Sequence, residues 1–564
     1  MVKTNSQKHI LTILLEDYFQ VGAFDHLIRR QTWSRFEPRY LQNTLKTLDL
    51  LDNQQTKATF FVSDWIAEQS PKLIKEIVRR GHEIACRGAD HGNLRRISPE
   101  EFRAELRRTR DVLEHTSGQK IRGYRAAGKL SYSSDLWKLD VLAEEGFDYD
   151  ASFLPTWNAV KKDLPRLYAH EYLSGEKKIW ELPYSTYRLA NFLLPISGGN
   201  YFRQLPYTLL RRAVSEWHER TNAPFVLYFH VWELDAEQPR INAASSLNSI
   251  RHYRKLDKMA WIINENLSRY QFTSCADFLA INHPAAKDQN AVKVIDEVSV
   301  TIGNTWQTKN REKVSIVIPC FNEEKTLPYL ANTLRSLEEN LRPTYELQFI
   351  FIDDQSTDLT FAKLRELFGA QPNVTIFQHE QNKGVAAGIM TGLKIARTDI
   401  VCSLDADCTY DPHELANMIP LLREGVALVT ASPYHPAGGV RNVPAWRLSL
   451  SKAASWLYRR TLRTKLSTYT SCFRVYRRSA VENLDLKENG FLGVAEMLGK
   501  IDLQGGQIVE HPAVLDVRLF GFSKMKTART ILGHLRLLSR LALLRWRGGK
   551  NLEKIIVHKP LSKI

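Results

Sequence analysis

Short apolar runs alternate with amphipathic stretches along both halves of the chain. The apolar runs cover 9–15 and 57–62 in the first half, and 313–319, 347–352 and 400–404 in the second. Helical spacing of apolar positions appears between these runs at 40–51, 70–80 and 99–116, and again after residue 324. Strands that alternate with helices form parallel sheets or barrels, so the pattern predicts an α/β fold in each half.

Carboxylates close several of the predicted strands. The strand ends carry Glu16-Asp17, Asp353-Asp354 and Asp405-Ala406-Asp407. Side chains two residues apart on an extended segment point the same way, so Asp405 and Asp407 can share one hard cation or a metal bound to a diphosphate. An isolated Asp-x-Asp also occurs in surface turns. Parallel strands, however, bring their carboxyl ends to one edge, which predicts a nucleoside diphosphate site there.

Composition is that of a globular protein with more than one domain. The chain has 564 residues, of which 43% are hydrophobic and 25% charged, and this length predicts about two to four domains. Six scattered cysteines and a polar amino-terminal segment indicate a reducing, cytoplasmic compartment. No apolar run reaches the roughly 18 residues that a spanning helix needs, so we expect no transmembrane segment.

The net charge of +16 is concentrated near the carboxyl end, where 523–564 holds eleven Lys/Arg and one acid. Such a segment needs a polyanion or an anionic surface as partner. Amphipathic spacing at 531–547 favours a helix on an anionic membrane surface over nucleic acid, which we do not expect as a partner. The alternative is a helix that packs on its own domain and exposes a basic face to solvent.

Motifs in the first half resemble one known family. They are Ala58-Thr-Phe-Phe-Val62, Gly81-His-Glu-Ile-Ala-Cys-Arg-Gly-Ala-Asp-His91, Ile121-Arg-Gly-Tyr-Arg125, Asp148-Tyr-Asp-Ala-Ser152, Leu227-Tyr-Phe-His-Val-Trp-Glu233 and Glu237-Gln-Pro-Arg240. Over about 8–282 the chain resembles NodB-type polysaccharide deacetylases, in the subgroup associated with exopolysaccharide export. The resemblance implies a distorted (β/α) barrel that removes N-acetyl groups with zinc or a similar divalent metal.

The first half departs from that family's chemistry. The family holds its metal with an acid and a His-x-x-x-His pair, and here His91 matches the second histidine whereas Arg87 stands at the first. Arginine stays protonated and binds no metal. Leu14 stands where the subgroup has an aspartate, and Ala126-Ala127-Gly128 replaces an expected Ala-Pro. The family positions that remain filled are Glu16, Asp17, His91, Arg125 and His230.

Motifs in the second half, over about 313–530, resemble family 2 glycosyltransferases of the dolichol- or polyprenol-phosphate type. They are Val317-Ile-Pro-Cys-Phe-Asn-Glu-Glu324, Asp353-Asp-Gln-Ser-Thr-Asp358, Asn382-Lys-Gly384, Asp405-Ala-Asp407, Gly438-Gly-Val-Arg441, Ser471-Cys-Phe-Arg474 and Arg518-Leu-Phe-Gly-Phe-Ser-Lys524. The resemblance implies a GT-A doubly wound α/β domain. Cys472 and Thr409 depart from a glycine and a glutamine that are frequent in the family.

The resemblance also implies roles for these residues. Asp405 and Asp407 would bind Mg or Mn, while Arg518 and Lys524 would contact the phosphates. The nucleotide sugar would be surrounded by Pro319, Phe321, Glu323, Asp353, Asp354, Lys383, Gly384, Ala406 and Arg441. A phosphate acceptor is already an anion, so it needs neutralising cations more than a general base.

Together these features predict a glycosyltransferase that moves a sugar from a nucleotide sugar to polyprenyl phosphate or a lipid-linked glycan. The protein would be cytoplasmic and lie peripherally on the inner face of the cytoplasmic membrane. Its first half would be an inactive, sugar-binding deacetylase-like domain. The predicted segments are 1–282, a linker at 283–312, the transferase at 313–530 and a basic segment at 531–564. Two alternatives are a bifunctional transferase and metal-dependent deacetylase, and a non-catalytic glycan-binding scaffold on the membrane surface.

Overall fold

The computed structural model describes residues 7–88, 97–161, 163–190, 192–280, 311–521 and 527–556. The chain separates into two compact units, the first formed almost entirely by residues before 281 and the second by residues after 310. Most of the predicted linker at 283–312 lies outside the described residues. Each unit has its own hydrophobic core.

The first unit is built on a curled sheet of nine strands. In chain order its strands and one separate hairpin are β1 (Lys8–Leu15), β2 (Thr59–Val62), β3 (Glu83–Arg87), β4 (Gly123–Arg125), β5 (Tyr149–Asp150), β6 (His170–Ser174), β7 (Lys177–Glu181), β8 (Thr186–Leu189), β9 (Phe192–Pro195), β10 (Val226–His230) and β11 (Gln271–Thr273). The sheet order is β10-β1-β2-β3-β4-β5-β7-β6, with β11 beside β1 and the β8–β9 hairpin apart. All pairs in the large sheet are parallel except β6–β7. This curled half-barrel agrees with the predicted distorted (β/α) barrel.

Helices cover the outer face of this sheet. They are α1 (Tyr40–Asn53), α2 (Asp64–Gln69), α3 (Pro71–Arg79), α4 (Pro99–Ser117), α5 (Trp137–Glu144), α6 (Trp157–Val160), α7 (Asn200–Gln204), α8 (Tyr207–Arg220), α9 (Ser246–Tyr253), α10 (Leu256–Arg269) and α11 (Cys275–Phe278). The predicted helices at 40–51, 70–80 and 99–116 correspond to α1, α3 and α4. A capping box between Ser98 and Glu101 begins α4, and Gly118 ends it in the left-handed conformation.

Alternation along β1 decides which side chains face the interior of the curl. Leu11, Ile13 and Leu15 join the core under the helices, whereas Ile10 and Leu14 join a second cluster inside the curl. A strand side chain two residues further along points the same way. Glu16 therefore follows Leu14 onto the inner face.

The second unit is a seven-stranded doubly wound sheet. Its strands, with a separate two-stranded pair, are β12 (Glu312–Cys320), β13 (Tyr345–Asp353), β14 (Val374–Gln378), β15 (Ile400–Ser403), β16 (Val426–Ser432), β17 (Gly439–Val440), β18 (Arg474–Arg477), β19 (Gln507–Pro512) and β20 (Val514–Leu515). The order is β14-β13-β12-β15-β18-β16-β19, and β18 runs antiparallel to both neighbours. A parallel sheet with one reversed strand matches the predicted GT-A class.

Helices cover both faces of the second sheet. They are α12 (Leu327–Leu341), α13 (Thr360–Phe368), α14 (Val385–Ile395), α15 (Leu415–Met418), α16 (Ala445–Thr461), α17 (Phe491–Leu503) and α18 (Thr527–Ile556). Along β12, Val314, Ile316 and Ile318 pack with α12, while Val317 packs with α14 on the opposite face. Such two-sided burial explains why the strand is apolar throughout. In the part of the chain that the structure describes, no helix has the length and apolar content to cross a bilayer.

Candidate active site

The ends of three neighbouring parallel strands form the acidic edge of the second unit. β12 lies between β13 and β15, and all three run in the same direction. Their loops carry Glu323 after β12, Asp353 at the end of β13, and Asp405 with Asp407 after β15. The predicted meeting of acids at one sheet edge therefore follows from strand order.

Each of these loops turns through a residue in the left-handed region. The residues are Asn322, Gln355 and Cys408, with φ of 54°, 57° and 52°. Non-glycine residues rarely adopt this conformation, and it occurs often where the backbone is held for a ligand. The loop after β15 is further fixed by two hydrogen bonds. The Cys408 N–H donates to the Asp405 carbonyl, and the Thr409 N–H donates to the Asp407 side-chain oxygen Oδ1.

Arg518 brings a cation to this edge. Its Nη2 donates to Glu323 Oε2, and its Nη1 lies 3.7 Å from Asp407 Oδ2. Its Nε donates to the Phe520 carbonyl at 2.7 Å. The side chain keeps 18% of its surface exposed, so the guanidinium neutralises two acids while remaining open to solvent.

The surroundings of Asp405 disfavour the charged form of its carboxyl group. Burial and the neighbouring charge of Asp407 raise its pKa to about 7. Burial also raises the pKa of Glu323, against the effect of Arg518. The Cys472 thiol interacts with the Asp405 carboxylate. The sequence departure at Cys472 thus lies directly beside the metal-binding candidate.

Asp353 and Asp354, predicted to share one role, have different surroundings. Asp354 accepts the backbone N–H groups of Lys383 and Gly384 at 2.8 and 2.7 Å and contacts His379 Nδ1 at 2.7 Å. Asp353 Oδ2 accepts from Gln378, whereas its buried Oδ1 has no hydrogen-bond partner among the described residues. Asp354 therefore holds the Lys383–Gly384 turn, and Asp353 offers an acceptor to a ligand.

The turn before α14 requires glycine. Gly384 has φ of 94°, and a Cβ there would stand 2.7 Å from the Asn489 carbonyl. Lys383 is exposed beside it. This places the amino end of α14, and the exposed cation before it, at the carboxyl end of β13.

The remaining predicted residues surround the same edge or lie elsewhere. Pro319 and Phe321 are half-buried at the end of β12, and Ala406 is buried between the two aspartates. Arg441 is exposed, and its N–H donates to the Leu515 carbonyl, three residues before Arg518. Lys524 lies outside the described residues.

These residues fit a divalent cation of the Mg or Mn kind. Among the described residues no group of three or more His, Cys, Asp or Glu is placed to hold a metal ion. Asp405 and Asp407 supply two carboxylates, and Mg²⁺ ordinarily takes one or two carboxylates together with substrate phosphates. The donor set is therefore that of a metal which arrives with its diphosphate.

The inner face of the first unit contains a different arrangement. Arg87 Nε donates to Glu16 Oε1 at 2.6 Å, and its other nitrogens donate to the Ala126 and Ala127 carbonyls. Nδ1 of His230 lies 2.9 Å from Glu16 Oε2. Both carboxylate oxygens of Glu16 are thus engaged by protein groups.

Two other predicted residues of this unit are used by the fold. Asp17 accepts the N–H groups of Arg39 and Tyr40 at 2.7 and 3.0 Å, so it caps α1. Burial raises its pKa to about 7. Arg125 is buried with its guanidinium carbon 4.7 Å from the ring centroids of Tyr184 and Tyr228. His91 lies outside the described residues.

Sequence reasoning missed His379 as part of the candidate site. It holds Asp354 through Nδ1 and contacts Thr391 Oγ1 through Nε2 at 2.9 Å. A single histidine after a predicted strand carries no distinguishing pattern. Its position directly after the end of β14, next to β13 in the sheet, is the signal that could have indicated it.

Comparisons with known proteins identify both halves. The model of glycosyl transferase family 2 matches residues 315–485. The polysaccharide deacetylase model matches residues 29–149, and a domain of unknown function, DUF3473, matches residues 151–280. The chain therefore carries a polysaccharide deacetylase domain followed by a family 2 glycosyltransferase domain.

The second half is similar to transferases named for polyprenyl phosphates. It is 31% identical to dolichol-phosphate mannosyltransferase of Pyrococcus furiosus over 238 residues, which are 42% of this chain and 65% of that protein. It is 28% identical to polyprenol monophosphomannose synthase of Mycolicibacterium smegmatis over 221 residues, 38% of this chain and 81% of that protein. The chain thus spans slightly less than two thirds of the first relative's length.

A solved structure of glucosyl-3-phosphoglycerate synthase from Mycobacterium tuberculosis, with Mn²⁺, uridine diphosphate and glucosyl-3-phosphoglycerate, is also similar. It is 20% identical with a TM-score of 0.32, and the match covers 41% of this chain and 80% of that chain.

Proposed function

We propose that the second domain transfers a sugar from a nucleoside diphosphate donor to a polyprenyl phosphate or a lipid-linked glycan. The observation that carries the proposal is the acidic edge at which Glu323, Asp407 and Arg518 meet. Both curated relatives are named for mannosyl transfer to a polyprenyl phosphate, which supports this acceptor class and makes mannose the first sugar to test.

Donor binding uses groups that the fold already orients. Asp353 Oδ1, which has no hydrogen-bond partner in the described part of the chain, accepts a hydrogen bond from the nucleoside. Pro319 and Phe321 provide apolar surface beside it. Asp405 and Asp407 would hold Mg or Mn, which when bound offsets the negative charge on the leaving diphosphate.

Arg518 supplies a positive charge that is partly accessible to solvent. Its guanidinium contacts Glu323 and Asp407. Once a cation neutralises the acids, the diphosphate oxygens are the better partner, because charge-assisted bonds from a guanidinium to phosphate are strong and bidentate. Arg441 and Lys383, both exposed, add cations near the same edge.

In the transfer step an acceptor phosphate oxygen forms a bond to the anomeric carbon while the bond from that carbon to the diphosphate breaks. The anomeric configuration inverts, and the electron pair leaves with the nucleoside diphosphate. The acceptor oxygen is already an anion, so the chain needs to orient it and neutralise charge rather than remove a proton.

Access to a lipid-linked acceptor is supported by two helices of the second unit. α16 exposes Trp446, Leu450 and Trp456. Among the side chains of α18 that the structure describes, the exposed apolar ones include Ile531, Leu532, Leu535, Leu543, Leu544 and Trp546. From 439 to 466 there are seven Lys/Arg and no acid. Aromatic and aliphatic side chains among cations are typical of helices that lie in an anionic headgroup layer.

The prediction for 531–547 needs one correction. Leu538 and Leu541 are buried, and Leu541 packs against Gly499 of α17. α18 therefore packs on its own unit through one face and exposes apolar residues on another face. This combines the two predicted alternatives, a helix on a membrane surface and a helix packed on its own domain. We propose a peripheral location on the inner face of the cytoplasmic membrane and keep the four predicted segment boundaries as a proposal.

The test is sugar transfer by the full chain. Purified protein, Mn²⁺, a panel of labelled nucleotide sugars that includes mannose donors, and polyprenyl phosphate in detergent should yield a labelled lipid. Asp407→Ala should lower the rate by at least about 100-fold, since it removes charge stabilisation at the leaving group. Asp399→Ala changes an exposed acid at the other end of β15 and should leave the rate unchanged. No transfer from any donor, or equal rates in Asp407→Ala, would overturn the proposal.

A further inference from the structure

Two positions at which the family has an acid and a metal-binding histidine are occupied by Leu14 and Arg87 on the inner face of the deacetylase domain. Leu14 is buried with only 2% of its surface exposed and packs with Phe61 and Tyr228 at the position of the subgroup's aspartate. Arg87 follows Ala85 onto the same inner face by strand alternation, and His230 follows Tyr228. The aliphatic Leu14 thus stands where the subgroup has an acid, and the cationic Arg87 stands where the family has a histidine.

Arg87 is held in this place by every nitrogen of its guanidinium. Its Nε and Nη2 contact Glu16 Oε1, and its Nη1 and Nη2 donate to two consecutive backbone carbonyls, those of Ala126 and Ala127. These carbonyls belong to the loop that departs from the family's Ala-Pro. The side chains of Arg87 and Glu16 are 4% and 6% exposed.

We infer that the Arg87 guanidinium has taken the place of the divalent metal, so that the deacetylase domain is a metal-free, non-hydrolytic fold. A metal at Glu16 would have to displace Arg87 from one oxygen and His230 from the other. A displaced guanidinium would then be buried without a partner beside a second positive ion. Breaking a buried pair in this way is strongly unfavourable, because each charge loses the partner that compensates its desolvation.

Arg125 is the arginine that the family also carries at this position, so the charge that this chain adds to the inner face is that of Arg87. Arg125 is buried on the inner face between two tyrosine rings, and its Nη1 donates to Thr12 Oγ1 at 3.1 Å. Arg87 therefore adds a second permanently protonated side chain to the face where the family binds a divalent cation. The ion pair with Arg87 stabilises the buried Glu16 carboxylate without any metal ion from solution.

Zinc content tests the inference. The full chain is prepared in the Asp407→Ala background to remove the transferase metal ligand, equilibrated with zinc, passed through gel filtration and analysed by mass spectrometry. We expect less than one tenth of a zinc per chain, and a calorimetric titration with zinc should show no site. One retained zinc per chain would overturn the inference, whether or not acetyl groups are released.

Restoring the family donors gives the converse measurement. Leu14→Asp combined with Arg87→His in the same background should retain about one zinc per chain. A folded double variant that binds no zinc would overturn the role of Arg87 in excluding the metal. If this variant does not fold, the zinc content and calorimetry of the chain with Leu14 and Arg87 decide the question.

Thermal unfolding supplies a readout that does not depend on metal uptake. Arg87→Met should lower the unfolding midpoint of this domain by roughly 10 °C, because Glu16 is left buried without its cation. EDTA should change the unfolding midpoint of neither the unchanged chain nor Arg87→Met. Arg79→Met removes an ion pair from an arginine that is 69% exposed and should shift the midpoint by less than about 2 °C. Equal midpoints for Arg87→Met and Arg79→Met would overturn the inference.

Discussion

Arg87 and Arg518 neutralise acids at the strand ends of the two units, but the two side chains are held differently. Arg87 is 4% exposed and donates to a carboxylate and two carbonyls. Arg518 is 18% exposed. Besides its contacts with Glu323 and Asp407, it donates to one carbonyl, that of Phe520. A fixed arginine stabilises a fold, whereas an accessible one can exchange its carboxylates for phosphate. We therefore propose a structural role for Arg87 and a phosphate-binding role for Arg518.

Substitution of Arg518 tests its proposed role at the diphosphate. Arg518→Ala should lower kcat/KM for the donor by about 100-fold, because the leaving group loses a charge-assisted partner. Arg518→Lys should recover part of this loss, since it keeps the charge but not the fork. Steady-state transfer rates measure both. Arg365→Ala on α13 is the control for loss of an exposed cation. Equal loss in the Lys and Ala variants would contradict the phosphate role.

The raised pKa of Asp405 predicts a pH-dependent affinity for the metal. A metal binds the carboxylate, so protons compete as the pH falls below about 7, and Mn²⁺ affinity should fall by up to tenfold per pH unit there. Because the pKa is raised on folding, the Asp405 contribution to stability is present below about pH 4 and is lost as the pH rises through 7.

Two measurements check the sign of the predicted change in metal affinity. Calorimetric titration of Mn²⁺ with a nucleoside diphosphate should give weaker binding at pH 5.5 than at pH 8. The same ligands should raise the unfolding midpoint of the transferase domain more at pH 8 than at pH 5.5. Asp405→Asn should abolish the pH dependence, and a pH-independent affinity in the unchanged chain would refute the assignment.

At the scale of secondary structure, α14 must lie close against β12 to place its amino end at the site. A Cβ on Gly392 would stand 2.2 Å from Val317 Cγ1, and Val317 is fully buried. The Gly384 turn at the start of the same helix is tied to Asp354. Packing in the middle of the helix therefore sets the position of the Lys383–Gly384 turn at the candidate site.

Gly392→Ala should destabilise the transferase domain by about 1–3 kcal/mol, because overpacking forces α14 away from the sheet. Chemical denaturation monitored by fluorescence measures the change. Gly490→Ala is a matched control, since a Cβ there meets no atom within 4 Å and its φ is negative. The donor KM should rise in Gly392→Ala and stay constant in the control. An unchanged stability would show that the contact between α14 and β12 relaxes freely.

At the scale of the whole molecule, charge and exposed apolar surface are unevenly placed. The chain carries +16 overall, and eleven of its Lys/Arg lie in the last 42 residues. The same end of the chain contains α18, and α16 contributes exposed Trp446 and Trp456. The transferase unit therefore carries both of the signals that favour an anionic membrane surface.

Vesicle flotation tests this distribution. Trp456→Ser combined with Trp546→Ser should weaken binding to vesicles containing anionic lipid by about tenfold or more, because two large apolar side chains no longer enter the headgroup layer. Transfer to an acceptor in detergent should not change. Trp261→Ser is the control, since Trp261 is 54% exposed on α10 of the first unit. Equal binding of the double variant and the control would argue against the two helices as the membrane surface.

The sequence by itself determined the α/β class and the strands that end in acids. It also determined that Leu14 and Arg87 replace an acid and a metal-binding histidine of the deacetylase family. These depend on local alternation and on residue chemistry, which neighbours in the chain report directly. Strand parity alone also separates Glu16 on the inner face from Asp17, which caps α1.

Only the tertiary structure decided which of these residues meet. Arg518 is 195 residues from Glu323 in the chain, and their contact depends on how β12 and the segment after β20 are placed in the sheet. The difference between Asp353 and Asp354, the role of His379 and the buried stripe of α18 also depend on packing partners remote in sequence. Such long-range contacts leave no periodic signal, because the chain segments that form them are ordered by the shared core rather than by their own residues.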